Sequence, residues 1–296
     1  MDKLLKLINS GYYKYDINHA IYWADREFVL KAVRINGKFI IHASYELRED
    51  KEIVIEDIKN GHKLYYSSKK IQDDKEVAIG AIKCGYDFIN LPKKHQSDKE
   101  VVIEAVIKCG FNLKRASEEL QNDRDVVMLA VINHPCSLYY ASKELQNDKE
   151  ILIKALKFGY PFESVCEELK NDREFIFEVL KIKSFFCLRN IPEKFKNDRK
   201  FILEAIKINP ETLLILPEKY KNDKEFHIEA MKNNGMALQF ISRNFQSNKK
   251  IIIIALKNSR FVDYGKFRKN GLKLYFGTTF GYGRNKKSFN NILKFL

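Results

Sequence analysis

Six histidines, five cysteines and a recurring Asp-Lys-Glu triplet are the residues of this chain most able to do chemistry, and their spacing decides which chemistry is open to them. His19, His42, His62, His95, His134 and His227 stand singly, with neither the helical pairing of a zinc site nor a neighbouring nucleophile. Cys84, Cys109, Cys136, Cys166 and Cys187 are scattered without a CxxC pair. They suggest no metal site, and unpaired thiols fit a reducing compartment. Cys84 and Cys109 each precede a glycine, which points to packing rather than reactivity. Gly277-Thr-Thr-Phe-Gly-Tyr-Gly283 has the glycines of a phosphate loop but neither a preceding strand nor a Gly-Lys-Ser/Thr ending. The expectation is therefore a protein with no catalytic residue, no cofactor and no metal, and not an enzyme.

The triplet belongs to an internal repeat. Asp-Lys or Asp-Arg begins at Asp2, Asp25, Asp50, Asp74, Asp98, Asp123, Asp148, Asp172, Asp198 and Asp223, and the series closes with Asn248-Lys249. A step of about 25 residues means stacked small units, each too small to bury its own apolar face. In the copy that starts at Asp98, Val101, Val102, Ala105 and Val106 fall at helical spacing, so a buried helix is predicted. From Asp25 to Asp223 the nine aspartates stand where N-caps belong, and in the copy at Asp98 Glu100 adds a favourable charge at the same positive end. Capping explains this column without any ligand. Gly110 is expected to end the helix, as are Gly37, Gly61, Gly85, Gly159 and Gly235.

Seven residues past each Asp a small side chain recurs as Ala32, Ala81, Ala105, Ala130, Ala155, Ala205, Ala230 and Ala255, interrupted by Asp57 and Val179, so adjacent helices can approach closely. A shorter second helix follows, with Leu113, Ala116 and Leu120 in one copy and Leu138, Ala141 and Leu145 in the next. Pro92, Pro192 and Pro217 take the place of Ser44, Ser68, Ser117, Ser142 and Ser242, so this helix starts or bends there. The fold class is all-α: an α-solenoid of about ten two-helix repeats. Residues 1–24 are expected to be an N-terminal capping unit, 25–258 the array, and 259–296 an atypical basic, aromatic and Gly-containing C-terminal cap or tail.

The pattern Asn-Asp-Lys-Glu-x-x-x-Glu-Ala-x-Lys-x-Asn-Gly-x-x-Leu-x-x-x-Ser-x-x-Leu resembles the helical repeat known as the domain of unknown function 4116. The likeness is best from Asn122 to Leu169 and from Asn222 to Phe245, with weaker copies over residues 25–258. The copies at Asp172 and Asp198 depart from it, with Lys183-Ser184 and Asn209-Pro210 at the turn. The resemblance implies an all-helical interaction module and carries over no catalytic residue.

The formal net charge is +14, unevenly spread. Residues 249–296 carry twelve Lys or Arg against one Asp, whereas residues 1–248 carry 41 basic and 38 acidic side chains. Within the array Arg34, Lys59, Lys83, Lys157, Lys181, Lys207, Lys232 and Lys257 recur nine residues past each Asp or Asn, a rail that could follow a phosphate backbone but is broken by Ile107 and Ile132. A lysine there is also favoured by the helix dipole and by the glutamate three residues before it, so a solvated, partly neutralised surface is the plainer account. In the tail, Lys266, Arg268, Lys269, Lys273, Arg284, Lys286 and Lys287 interleave with Tyr275, Phe276 and Tyr282, a mixture able to neutralise phosphates and stack on bases. A cap that closes the last hydrophobic layer explains the same aromatics. The partner expected first is a protein or peptide held by a scaffold, with RNA or DNA on the tail and rail as the alternative. No membrane and no small-molecule substrate is expected. The location expected is cytoplasmic, with specialised export as an effector the alternative that needs no cleavable signal.

Overall fold

In the computed structural model the described residues are 20–258 except 62–63, 65–66, 183–184, 242–244 and 246–247. Every regular element among them is helical, and the fold is an all-α repeat solenoid. The leading helices of the repeats are α1 (Arg26–Ile35), α2 (Lys51–Lys59), α3 (Lys75–Lys83), α4 (Lys99–Lys108), α5 (Arg124–Asn133), α6 (Lys149–Lys157), α7 (Arg173–Lys181), α8 (Arg199–Ile208), α9 (Lys224–Asn233) and α10 (Lys249–Asn258). The chain forms two compact units, divided between Tyr160 and Pro161. In the first, α1 to α6 pack in succession, and in the second α7 to α10 do the same.

Each leading helix from α1 to α9 buries the third, fourth, seventh and eighth residues after its cap. Val101, Val102, Ala105 and Val106 of α4 are fully enclosed, as are Phe201, Ile202, Ala205 and Ile206 of α8. All eight alanines of the small-residue column are fully buried, and Val179 fits in the same column. Its one polar member, Asp57, is buried opposite Gly37 of the preceding repeat. A β-carbon on Gly37 would come within 2.7 Å of Asp57 Oδ1, so glycine leaves the carboxyl its room.

The glycines do two different jobs, which corrects the expectation that all of them end helices. Gly61, Gly85 and Gly159 adopt φ of 85°, 103° and 105°, the left-handed turn that glycine supplies without steric cost. Gly37, Gly110 and Gly235 instead begin a six-residue 3-10 helix, and before Gly37 and Gly110 the chain passes through a residue of extended backbone, Asn36 or Cys109. Pro135 and Pro210 start the same 3-10 helix after extended His134 and Asn209, so the copy at Asp198 follows this second route. The route is written in the step length. Cap-to-cap steps are 24 residues after Asp50, Asp74 and Asp148, which use the left-handed glycine, and 25 after Asp25, Asp98, Asp123 and Asp198.

The second helical segment is itself divided. In the copy at Asp98 it comprises the 3-10 helix Gly110–Arg115, two extended residues and the single turn Glu118–Gln121. Ser117 caps that turn, accepting from the Leu120 N–H at 3.4 Å, and its own N–H donates to the Gln96 carbonyl of the preceding repeat at 2.8 Å. Ser142 and Ser44 make the same link between repeats, to Gln121 and Trp23. Proline fits this position because the backbone there is already near φ −60°, but it has no N–H to give. In all three proline copies a side chain reaches a carbonyl at this seam, the equivalent one in the first copy and the next one along in the other two. His95 Nε2 bonds the Gln72 carbonyl at 2.8 Å, Lys194 Nζ donates to Asn171 O at 3.3 Å, and Tyr220 Oη donates to Asn197 O at 3.0 Å. Buried His95 is thus a replacement donor, and a carbonyl partner requires its proton on Nε2.

His95→Leu removes that donor and is expected to lower stability by about 1 to 3 kcal/mol, the cost of an unmatched buried acceptor. Pro92→Ser in the same background restores an N–H and should recover part of the loss in urea midpoint. No recovery would show that the two positions are not exchanging one hydrogen bond.

Candidate interaction surface

At the N-terminal ends of the leading helices, the carboxylates of Asp25, Asp50, Asp74, Asp98, Asp123, Asp148, Asp172, Asp198 and Asp223 accept from backbone N–H groups of their own first turn, for example Phe28 N–H to Asp25 at 2.7 Å and Ile151 N–H to Asp148 at 2.9 Å. From Asp50 onward many of these carboxylates have a second role. The Lys or Arg that follows a cap reaches forward to the cap and first-turn acid of the next repeat. Arg26 meets Asp50 and Glu52, each at 2.7 Å; Lys51 meets Asp74 at 2.8 Å and Glu76 at 2.5 Å; Lys99 meets Asp123 at 2.7 Å and Asp125 at 3.6 Å. Lys75 and Arg124 make the same forked contact, as does Arg199 in the second unit. Arg173 bridges Asp198 and turns to Glu204, because Lys200 occupies the place of the first-turn acid. The triplet is therefore a ladder of ion pairs between layers, which the capping argument alone missed.

The ladder perturbs its own titration. Burial pushes the Asp50 carboxyl up, but donation from Arg26 and from the Ile53 N–H outweighs it and holds the group below the ordinary aspartate value. Asp74, Asp98 and Asp123 are lowered in the same balance, and for Asp198 the Phe201 N–H leads. Lys51, Lys75 and Lys99 are raised, chiefly by hydrogen bonds to Asp74, Glu100 and Asp123.

At the opposite ends of the helices the lysine rail is largely paired. Lys59 and Lys181 sit on Glu56 and Glu178 of their own helices, Lys83 reaches Glu104 of the next at 3.1 Å, and Arg34 lies 3.7 Å from Glu52. Lys207 and Lys232 share Glu229, at 4.0 and 3.5 Å. Lys257 is exposed, and with Lys250, Ile253 and Ile254 it lines an open cavity of about 460 Å³ on α10. Lys266, Arg268, Lys269, Lys273, Tyr275, Phe276, Tyr282, Arg284, Lys286 and Lys287 lie outside the described residues, as do residues 1–19 of the expected capping unit.

Where the rail breaks, the surface turns apolar. Ile107 is 50% exposed and Ile132 45%, at the C-terminal ends of the packed helices α4 and α5. Phe111 and Tyr139, in the 3-10 helices that follow α4 and α5, and Phe158, at the end of α6, are exposed as well. Phe111 packs on His134 at 4.9 Å and meets Tyr140 edge-on at 6.3 Å, while Tyr139 lies against Tyr160 at 5.1 Å. The backbone below is pinned between repeats. Asn133 Nδ2 donates to the Ile107 carbonyl, a helix-end acceptor with no intrahelical partner, and the Gly110 N–H points to Asn133 Oδ1 and His134 Nδ1. A β-carbon at Gly110 would fall 2.3 Å from the Ala130 carbonyl oxygen. The strip is thus a fixed platform of aliphatic and aromatic side chains, all within the first unit.

Family models for the domain of unknown function 4116 match residues 25–56, 98–146, 129–170, 148–196, 172–221, 198–246 and 223–262, well over half of the chain. The chain belongs to this repeat family. No curated protein and no solved structure matches it. The family matches follow the caps from Asp98 to Asp223, so the ladder runs through matched copies of the repeat. Among the described residues no helix is long and apolar enough to cross a membrane, and no cluster of His, Cys, Asp and Glu is placed to hold a metal ion. His227 resembles His95 in being buried on a backbone carbonyl, that of Lys221 at 2.8 Å, and burial lowers its pKa.

The lowered cap carboxyls fix the sign of an acid response. Unfolded aspartate titrates near pH 3.9, above the folded groups, so the unfolded chain takes up protons first as the pH falls. The ladder's stabilisation should be complete above about pH 5 and be lost progressively below about pH 4. Urea midpoints measured across that range check it; a flat profile would show that the caps titrate alike in both states.

Proposed function

We propose that this protein is a non-catalytic scaffold that binds a protein or peptide partner on its repeat surface. The observation that carries this reading is the strip at Ile107 and Ile132, where a position filled by Lys or Arg in most other repeats becomes aliphatic and half-exposed, in repeats that also expose Phe111 and Tyr139. Contiguous exposed apolar side chains on a rigid support are characteristic of macromolecular contact surfaces. The paired state of the ladder and of much of the rail supports a structural role for most of the repeated charge, whereas the exposed apolar side chains of the strip serve no packing role.

Nucleic-acid binding is the second reading. It rests on the basic aromatic segment 259–296, and the glutamates beside the rail reduce what the array can add.

Replacing Ile107 and Ile132 together by Glu is expected to leave the melting temperature nearly unchanged, since both are surface positions, while removing the proteins that the wild type captures from its native cell extract. Capture that survives the double substitution would refute the strip as the binding surface. Titration with single-stranded RNA, intact chain against a chain ending at Asn258, is expected to show no binding that depends on both salt and residues 259–296; such binding would transfer the assignment to nucleic acid.

A further inference from the structure

We propose that the strip at the ends of α4, α5 and α6 receives an acidic, amphipathic peptide segment of the partner protein, an inference that rests on the scaffold reading and narrows it. The stretches of chain that carry the strip hold charge of one sign. No Asp or Glu occurs in residues 105–117, 126–143 or 151–162, and these stretches hold Lys108, Lys114, Arg115, Lys143, Lys154 and Lys157. The residue six past the cap is Glu in five repeats, at Glu56, Glu104, Glu178, Glu204 and Glu229, but Leu129 in α5 and Lys154 in α6. The glutamate of α4, Glu104, is taken by Lys83. The acids that neutralise the rail elsewhere are therefore missing or engaged where the rail turns apolar.

The cations left over have makeshift partners. Lys108 Nζ donates to the Ile82 carbonyl at 3.2 Å, Lys114 Nζ lies 5.4 Å from the Tyr140 ring centre, and Lys154 Nζ lies 5.8 Å from that of Phe158. Among the described residues none of these three, nor exposed Lys157, forms an ion pair. Carboxylates on an incoming segment would be their first counter-ions, giving orientation and a faster encounter. The apolar requirement is equally specific. Ile107 and Ile132 stand nine residues past their caps, at the same place on the neighbouring helices α4 and α5, and so offer two apolar contact points on helices whose axes stand about 8 to 10 Å apart. Three residues of extended chain, or two turns of helix, span that distance and place two large apolar side chains on them. A nucleic acid would find the cations and could stack on the exposed rings, but it would leave Ile107 and Ile132 without an apolar partner.

The test uses the full chain and fluorescence anisotropy with four labelled probes: a short peptide alternating Glu with Leu and Phe, the same peptide with Gln for Glu, the same with Lys for Glu, and a single-stranded RNA. The acidic peptide is expected to bind with an affinity that falls as salt rises. Binding should weaken by about tenfold or more in Ile132→Asp, and likewise in the double substitution Lys108→Glu, Lys157→Glu. Lys224→Glu, in the second unit, should leave it unchanged. Melting curves confirm that each variant is folded. If the neutral or basic peptide binds as tightly and with the same dependence on Ile132, the acidic assignment is overturned and the scaffold reading stands. If no peptide responds to Ile132→Asp, this inference fails, and the capture experiment judges the scaffold separately. RNA binding lost in Ile132→Asp would overturn both.

Discussion

One carboxylate used twice holds these layers in place. The first backbone N–H groups of any helix lack partners, and the cap aspartate satisfies them from below. The same carboxylate then receives a lysine or arginine from the repeat before it, as Asp50 does from Arg26 and Asp123 does from Lys99. The cation is drawn to the positive end of a helix only because an acid stands there, often with a second acid two residues on. Each such pair, being partly exposed, contributes little in isolation. Repetition is what gives the arrangement weight, since nearest-neighbour terms add along a stack.

At the other seams between repeats the structure keeps account of hydrogen-bond donors rather than of residue identities. A serine N–H, an imidazole, an ammonium or a phenol can meet the carbonyl of the layer before, and proline appears where a side chain has taken over the task. The same economy explains the residue two before the next cap. Gln121 and Gln146 fold back on the carbonyls of Leu113 and Tyr139, and Lys170 and Lys196 reach those of Glu163 and Arg189 from the same place in copies that lack the glutamine. Residues that look unrelated in the sequence can stand in for one another because each brings a proton to a carbonyl at the same seam or turn.

Much of the architecture was legible in the sequence. Helical spacing of Val101, Val102, Ala105 and Val106 and the alanine column fixed which face is buried, because those patterns depend only on local geometry and volume. The forward reach of Arg26 or Lys99 was not legible, since it depends on the rise and rotation from one layer to the next. The division of the second helix into a 3-10 segment and a single turn was hidden for a related reason: Leu113 and Leu120 are buried on both sides of the break, and the apolar spacing alone does not reveal it. For the surface, the sequence exposed the interruption of the rail at Ile107 and Ile132 but not its meaning, which came from seeing those side chains exposed while the lysines of other copies were paired. The acid-free stretches that carry it are a property of the sequence alone, because charge there varies by segment rather than by chain.

The two turn geometries have a bearing on how such a chain can change. A left-handed glycine closes the helix one residue sooner than an extended residue does, yet Phe88 in the shorter copy and Leu113 in the longer one are both buried in the segment that follows. The turn therefore acts as a slip joint that absorbs a single deletion or insertion while the phase of the buried face is kept. A lineage of such proteins can drift in length copy by copy, and segments cut at the cap aspartates can be exchanged between arrays whose spacings differ by one.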